Sequence, residues 1–294
     1  MAVDRRSFVK GAAIAGAAAA LSGRPGEARE RRVAPADAVG MLYDATLCIG
    51  CKACVVACKE ANGMPPDTRE MGALYDAPTD LNSKTRNIIK LYDGEGGQSF
   101  MKAQCMHCVD PACIKACMMG SLKKREFGIV TWQGERCTGC RYCGVACPYG
   151  VPKYEYEKAW PAVVKCEMCH HRVIKGQQPA CCEVCPRGAV IYGKYTDLLA
   201  EAKRRLAESP ERYEPKVFGE NDGGGTQVLY LSRAGVSFDK LGLPNLGTEP
   251  VADLQQAIQH GLYQGAILPV ALLAVFAGAV WRSKRSGAGE EVEG

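Results

Sequence analysis

Cysteine is the residue type through which this sequence can do chemistry. The chain has 294 residues and 17 cysteines, many more than the packing of an intracellular protein requires. Cys182 stands alone, and the other sixteen form four groups of four. The groups are Cys48, Cys51, Cys54 and Cys58; Cys105, Cys108, Cys113 and Cys117; Cys137, Cys140, Cys143 and Cys147; and Cys166, Cys169, Cys181 and Cys185. Disulfides, zinc and iron–sulfur clusters all use clustered cysteines, so the spacing has to distinguish them.

The third group has the spacing C-x2-C-x2-C-x3-C followed by proline, which is the spacing of bacterial ferredoxins. In such a run three thiolates surround one 4Fe–4S cluster and the fourth ligates a neighbouring cluster, so runs function in pairs. Zinc sites are closed by four ligands and need no third cysteine in the same loop. Disulfides are common in exported proteins but do not need cysteines three residues apart. The spacing therefore favours four 4Fe–4S clusters over zinc and over a disulfide framework.

An internal repeat supports this interpretation. Residues 47–58 read LCIGCKACVVAC and residues 136–147 read RCTGCRYCGVAC, with seven of twelve positions identical. Such self-similarity indicates duplicated units. Within the fourth group, the x3 spacing to Cys185 selects Cys181 as the ligand, so we expect that Cys182 binds no iron.

Several basic and histidine residues flank the cysteines. We expect His107, His170 and His171 to be loop residues or hydrogen-bond donors to cluster sulfur, since four cysteines leave them no ligand role. Cations near an anionic cluster raise its reduction potential, although surface solubility explains each of them equally well. These cations are Lys52, Lys59, Lys115, Arg141, Lys165 and Arg187.

The N-terminal residues have the pattern of an export signal. Arg5 and Arg6 precede Phe8 and Lys10, and a short apolar stretch follows over residues 11–21. Paired arginines before such a stretch are typical of twin-arginine signals. We expect a signal over residues 1–28 with cleavage after Ala28; the alternative is an ordinary N-terminal helix.

The C-terminal region has a different pattern. Residues 262–281 are 20 residues without a charge, which at about 1.5 Å per residue in a helix matches the bilayer core. Arg282, Lys284 and Arg285 follow, so the positive-inside rule assigns the tail, 282–294, to the cytoplasm and the body to the periplasm. A buried core helix is the alternative.

Composition argues against other functions. The net charge of +5 is modest and spread along the chain, so no nucleic-acid partner is expected. The sequence has no evident nucleophile–base pair, nucleotide loop or open metal position, and we predict no catalytic residue. A self-contained enzyme is therefore the weakest of three functional hypotheses.

The four groups, in this order, resemble the four-cluster ferredoxin-type subunits of respiratory oxidoreductases, namely dimethyl sulfoxide reductase, formate dehydrogenase and membrane-bound hydrogenase. The resemblance covers about residues 41–193. Three segments, 40–44, 104–111 and 223–229, are further similar to the iron–sulfur subunits of hydrogenases of the hydrogenase-2 type. Met118 departs from the pattern, because proline often follows the last cysteine of the second group, and we expect it to change the local turn.

The resemblance implies a nested pairing of the groups, first with fourth and second with third. We call the resulting ligand sets by number. The first set is Cys48, Cys51, Cys54 and Cys185; the second is Cys58, Cys166, Cys169 and Cys181; the third is Cys105, Cys108, Cys113 and Cys147; the fourth is Cys117, Cys137, Cys140 and Cys143.

The implied fold is α+β, with two nested ferredoxin-like two-cluster units over residues 40–200 and residues 98–152 as the inserted unit. Residues 201–260 form a C-terminal extension, in which 251–259 is expected on the membrane surface. Local patterns predict a strand at 88–92, a turn at 93–97, a helix at 197–207 and a strand at 227–231. In the predicted helix, one face carries Leu198, Leu199, Ala202 and Leu206.

The resemblance also implies a function and partners. The chain would be a non-catalytic iron–sulfur subunit that carries electrons between a periplasmic nickel–iron hydrogenase, with its small and large subunits, and an integral membrane quinone-reactive subunit. The second hypothesis is the equivalent subunit of a molybdenum oxidoreductase such as formate dehydrogenase or dimethyl sulfoxide reductase.

Overall fold

The computed structural model describes residues 32–66, 79–158, 161–252, 265–266 and 269–282. The chain divides into two units, and residues 32–252 belong to one of them, the body. The predicted export signal and most of the predicted membrane-surface segment lie outside the described residues. Described residues 265–266 and 269–282 are helical. Among the described residues no helix has both the length and the apolar character needed to cross a bilayer.

A three-stranded sheet forms the centre of the body. Strand β1 (Val39–Asp44) lies between β8 (Val190–Lys194), which is antiparallel to it, and β9 (Val228–Leu231), which is parallel to it. Alternate side chains of a strand point to opposite faces. Met41 and Tyr43 accordingly pack into the large core that also contains cysteines, whereas Leu42 packs into a second core on the other face. The sheet thus separates a cysteine-containing side from a side whose core has no cysteine.

A long helix covers the apolar side of the sheet. Helix α6 (Tyr195–Glu208) follows β8 directly and buries Leu198 and Ala202 against Leu42 and Leu229. The structure confirms the predicted helix and extends it by two residues at its start and one at its end. The predicted strand at 227–231 is also confirmed and begins one residue later, as β9.

Three hairpins complete the strands. Strands β2 (Ile88–Tyr92) and β3 (Ser99–Ala103) pair across the predicted turn, where the N–H of Gly97 donates to the carbonyl of Gly94 at 2.9 Å. The predicted strand at 88–92 is therefore confirmed. The other hairpins pair β4 (Leu122–Lys124) with β5 (Val130–Trp132), and β6 (Lys153–Tyr154) with β7 (Val163–Val164).

The remaining helices lie beside the cysteines and are short. They are α1 (Ala53–Ala61), α2 (Ala112–Ala116), α3 (Tyr142–Ala146), α4 (His170–Val173) and α5 (Ala180–Glu183), with single 3-10 turns at Glu126–Gly128, Gly134–Arg136 and Asp222–Gly224. Helices this short are unstable on their own, so packing or bound groups must hold them. The body contains both helices and strands, in agreement with the predicted α+β class.

Candidate iron–sulfur sites

The two repeated cysteine loops have the same backbone conformation. Gly50 and Gly139 have φ of 70° and 72°, and Lys52 and Arg141 have φ of 58° and 63°. Left-handed residues of this kind turn successive N–H groups toward one side, which makes a concavity for an anionic group. In the first loop the N–H of Gly50 points to the Sγ of Cys48 at 3.5 Å.

The four cysteines of the first set line one cavity. Cys48, Cys51 and Cys54 come from the first loop and helix α1, and Cys185 from the turn before β8. Lys102 of strand β3 lines the same cavity. The structure thus brings together the first and the fourth groups, which are far apart in sequence.

The second set also joins these two groups. The side-chain amide of Asn62 lies 3.7 Å from the Sγ of Cys58 and 4.0 Å from the Sγ of Cys169. Burial raises the pKa of Cys166, and the thiols of Cys58 and Cys181 raise it further. The thiols of this set therefore interact with one another, and Cys166 also interacts with Cys105 of the third set.

The third and fourth sets join the second and third groups. Burial raises the pKa of Cys108, which the thiols of the other members of the third set raise further. A second cavity is lined by the four cysteines of the fourth set together with Ser121 and Trp132. The N–H of Ser121 donates to the Sγ of Cys117 at 3.2 Å.

Each implied set is therefore gathered in one place, while the binding of iron by these residues remains a prediction. All seventeen cysteines fall within the described residues and are free thiols, which is inconsistent with a disulfide framework. Among the described residues, no three or more histidine, cysteine or acidic side chains are placed to hold a single metal ion.

Buried polar atoms near the cysteines test whether clusters fit. In the described part of the chain, eight buried donors have no protein partner, and four of them adjoin cysteines in sequence or space: His107 Nε2, Ser121 Oγ, Trp132 Nε1 and the Tyr149 hydroxyl. Buried donors normally have partners, because leaving one unpaired costs about 1–3 kcal/mol. Ser121 and Trp132 line the cavity of the fourth set, and Tyr149 interacts electrostatically with Cys108 of the third set. Sulfur of a cluster would accept from such donors, so these residues fit 4Fe–4S clusters.

The three histidines have different surroundings. His107 is fully buried, and its Nδ1 accepts from the N–H of Val130 at 3.1 Å, which leaves the hydrogen on Nε2. Burial, assisted by the charge of Lys165, holds the pKa of His107 well below its usual value, so the ring is a neutral donor. His170 Nε2 lies 2.8 Å from Glu126 Oε2, and His171 is exposed.

Of the six predicted cations, Lys59 and Lys165 are buried, and the others are partly or fully exposed. Lys165 donates to the carbonyls of Val130 and Cys166, at 2.5 and 3.0 Å. Lys102, which is fully buried against the first set, was missed by the sequence analysis. The only signal was a lysine in an otherwise apolar strand.

The expectation that Met118 changes the local turn was wrong. The carbonyl of Cys117 accepts from the N–H of Gly120 at 3.1 Å. The carbonyls of Cys147 and Cys185, which precede prolines, accept from Gly150 and Gly188 at 3.0 and 3.2 Å. A glycine three residues after the cysteine makes the turn in every case, so proline is not needed.

Comparison with known proteins assigns the family. Residues 98–195 match the model of the 4Fe-4S dicluster domain. The chain is 41% identical to the hydrogenase-2 operon protein HybA of Escherichia coli O157:H7, over 92% of this chain and 93% of that protein. It is 36% identical to the nitrate-inducible formate dehydrogenase iron-sulfur subunit of Escherichia coli K12, over 87% of both. The formate dehydrogenase-O iron-sulfur subunit of the same strain is 38% identical, over 66% of both.

Proposed function

Since this chain belongs to the family of iron–sulfur electron-transfer subunits that includes the hydrogenase-2 operon protein HybA, we propose that it carries electrons between a periplasmic nickel–iron hydrogenase and a quinone-reactive membrane subunit. Its cofactors are four 4Fe–4S clusters, which supply one-electron transfer. We assign their ligands to the four sets of cysteines defined above, in two nested units.

The exposure of the cysteines is the observation that carries this proposal. Cys51 of the first set and Cys140 of the fourth set are exposed. Both cysteines have an exposed apolar neighbour. Ile49 is near Cys51 in sequence, and Met118 lines the same cavity as Cys140. All four cysteines of the second set are buried. A relay whose two end sets each have an exposed cysteine, and whose two inner sets have none, suits a subunit that receives electrons at one face and delivers them at another.

The decisive experiment separates electron transfer to quinone from the catalytic oxidation of hydrogen. Cells that lack this chain should still oxidise hydrogen with a soluble dye, because the catalytic subunits remain. They should not reduce quinone with hydrogen, because electrons have no path to the membrane. Unchanged hydrogen-to-quinone activity would reject the role.

The alternative partner is a molybdenum enzyme such as formate dehydrogenase or dimethyl sulfoxide reductase. The similarity to formate dehydrogenase subunits over 87% of the chain favours keeping it as the second candidate. The higher identity to HybA and the twin-arginine pattern favour hydrogenase. Purification of the complex from native membranes distinguishes them, because either nickel or molybdenum should co-purify with the iron of this chain.

For the location, we propose export by the twin-arginine route and one anchor helix over residues 262–281. The charge-free sequence and the exposed side chains of Leu273, Val275 and Phe276 support an element that contacts lipid. Protease added to spheroplasts should then cleave the body, and replacing Arg5 and Arg6 by lysine should block export. Cleavage only after permeabilisation would contradict the topology.

Iron content tests the cofactor assignment directly. Anaerobically purified protein should contain about four irons for each of four clusters. A content that matches two clusters, or stoichiometric zinc, would contradict it.

A further inference from the structure

Strand β3 carries a lysine in an environment that normally excludes charge. Lys102 is 0% exposed, and its neighbour Met101 is 5% exposed, although the two side chains leave the strand on opposite faces. Its partner across the hairpin is Ile89, which is also buried. Lysine is almost never fully buried unless an anionic group accompanies it.

No carboxylate supplies that charge. Among the described residues Lys102 forms no ion pair, and its side-chain partner is the Oε1 of Gln104. Gln104 is itself held in place, because its Nε2 lies 3.3 Å from the Sδ of Met41. An amide oxygen is a neutral acceptor and cannot balance a buried ammonium group.

The cysteines of two sets surround this ammonium group. Lys102 lines the cavity of the first set, which includes Cys54. Although burial lowers its pKa, the pKa of Lys102 is raised overall by the thiols of Cys181, Cys54 and Cys166. Of these, Cys54 belongs to the first set, whereas Cys166 and Cys181 belong to the second. Lys102 therefore lines the cavity of the first set and interacts electrostatically with cysteines of the second set.

We propose that Lys102 sets the reduction potentials of the clusters of the first and second sets by means of its fixed positive charge. This inference rests on the cluster assignment under the proposed function but not on the identity of the catalytic partner. Reduction adds one electron to a cluster that four thiolates already make anionic. The ammonium group of Lys102 is buried, and a positive charge in such a place strongly favours the reduced state.

Lys165 is a different case. Two main-chain carbonyls accept hydrogen bonds from its ammonium group, at 2.5 and 3.0 Å, so two of its three N–H donors are paired. Lys102 has no such carbonyl partners among the hydrogen bonds of the described residues, so its charge is balanced by the two sets of cysteines.

The test is a redox titration of the purified protein, followed by electron paramagnetic resonance. In Lys102→Met, two of the four one-electron steps should move to lower potential by at least a tenfold change in the equilibrium constant, which is about 59 mV. The other two steps should not move. Lys102→Arg should titrate like the wild type, because it keeps the charge. Lys90→Met is the matched control, since Lys90 lies on the same hairpin but is partly exposed and pairs with Asp80 at 2.8 Å.

Iron content separates the outcomes. Full iron with unchanged potentials in Lys102→Met overturns the inference and leaves the proposed function intact. Wild-type protein with fewer than four clusters overturns the proposed function itself. If Lys102→Met loses iron, the neutral variant Lys102→Gln carries the titration, and unchanged potentials in Lys102→Gln overturn the inference. Loss of iron in all three variants indicates a steric role and overturns it.

Discussion

The carboxylate of Asp44 lies 3.0 Å from the guanidinium Nη1 of Arg205, which joins the end of strand β1 to helix α6. Asp44 is fully buried and also accepts from the hydroxyl of Tyr213 at 2.9 Å and from the N–H of Thr46 at 2.9 Å. Strand β1 leads directly into the first cysteine loop. This ion pair therefore fixes the direction in which the chain enters the first cluster site.

Removing the guanidinium should destabilise the body. Arg205→Met leaves a buried carboxylate with neutral donors alone, which we expect to cost about 2–3 kcal/mol. Arg204→Met is the matched control, because Arg204 is exposed on the same helix and pairs with Glu201 and Glu208. It should change stability little, since exposed ion pairs contribute little. Guanidinium unfolding of the two variants measures the difference, and equal midpoints would contradict the role of the pair.

The adjacent cysteines of helix α5 should differ in function. A hydrogen bond from the Cys182 thiol lowers the pKa of Cys181 despite burial, whereas the same hydrogen bond raises the pKa of Cys182 well above its usual value. Cys181 is therefore the thiol suited to ligate iron, and the Cys182 thiol donates a hydrogen bond to the sulfur of Cys181. Cys182→Ala should keep full iron, and Cys181→Ala should lose one cluster. The reverse pattern in iron analysis would show that the register is wrong.

Equivalent glycines in the two repeated loops should tolerate substitution differently. Both have left-handed φ, so alanine costs about 1–2 kcal/mol at either position. A Cβ at Gly50 would also lie 2.3 Å from Cε1 of Phe100, whereas at Gly139 its nearest neighbour is Pro161 Cδ at 3.0 Å. Gly50→Ala should therefore lower the thermal midpoint more than Gly139→Ala. Phe100→Leu should recover part of the loss, and no recovery would argue against the steric explanation.

Removing iron should unfold much of the body. Helices α2 to α5 have four or five residues each, too few to form alone, and all of them adjoin cysteines. Chelation under reducing conditions should bleach the cluster absorbance and reduce the far-ultraviolet helix signal together. A helix signal that survives full bleaching would show that protein packing alone holds these elements.

Sequence alone predicted the parts of this molecule that depend on local pattern. The spacing of the cysteines, helix α6 and strands β2 and β9 each follow from a short periodic segment. The grouping of Cys48, Cys51 and Cys54 with Cys185 was available only through resemblance to a family, because no local pattern encodes a contact between distant segments.

Other features could not be predicted because they depend on distant partners. Strand β1 pairs in parallel with β9, with Met41 opposite Val228, and neither segment indicates the other. Lys102 is hydrophilic by type, and only the cysteines that surround it explain its burial. His107 was expected to be a loop residue or a donor to cluster sulfur, but its orientation comes from the N–H of Val130 in a separate hairpin.

The position of β1 in the middle of the sheet has a consequence for biosynthesis. The ribosome makes β1 early, yet its two neighbours, β8 and β9, are among the last strands to be translated. Until Leu231 has emerged, β1 lacks one of its two neighbours, and long-range pairing of this kind forms slowly. The first and second sets, which include Cys185 and Cys181, can therefore be completed only after most of the body has been translated. The central sheet beside them is finished later still, when the segment that contains β9 has been made.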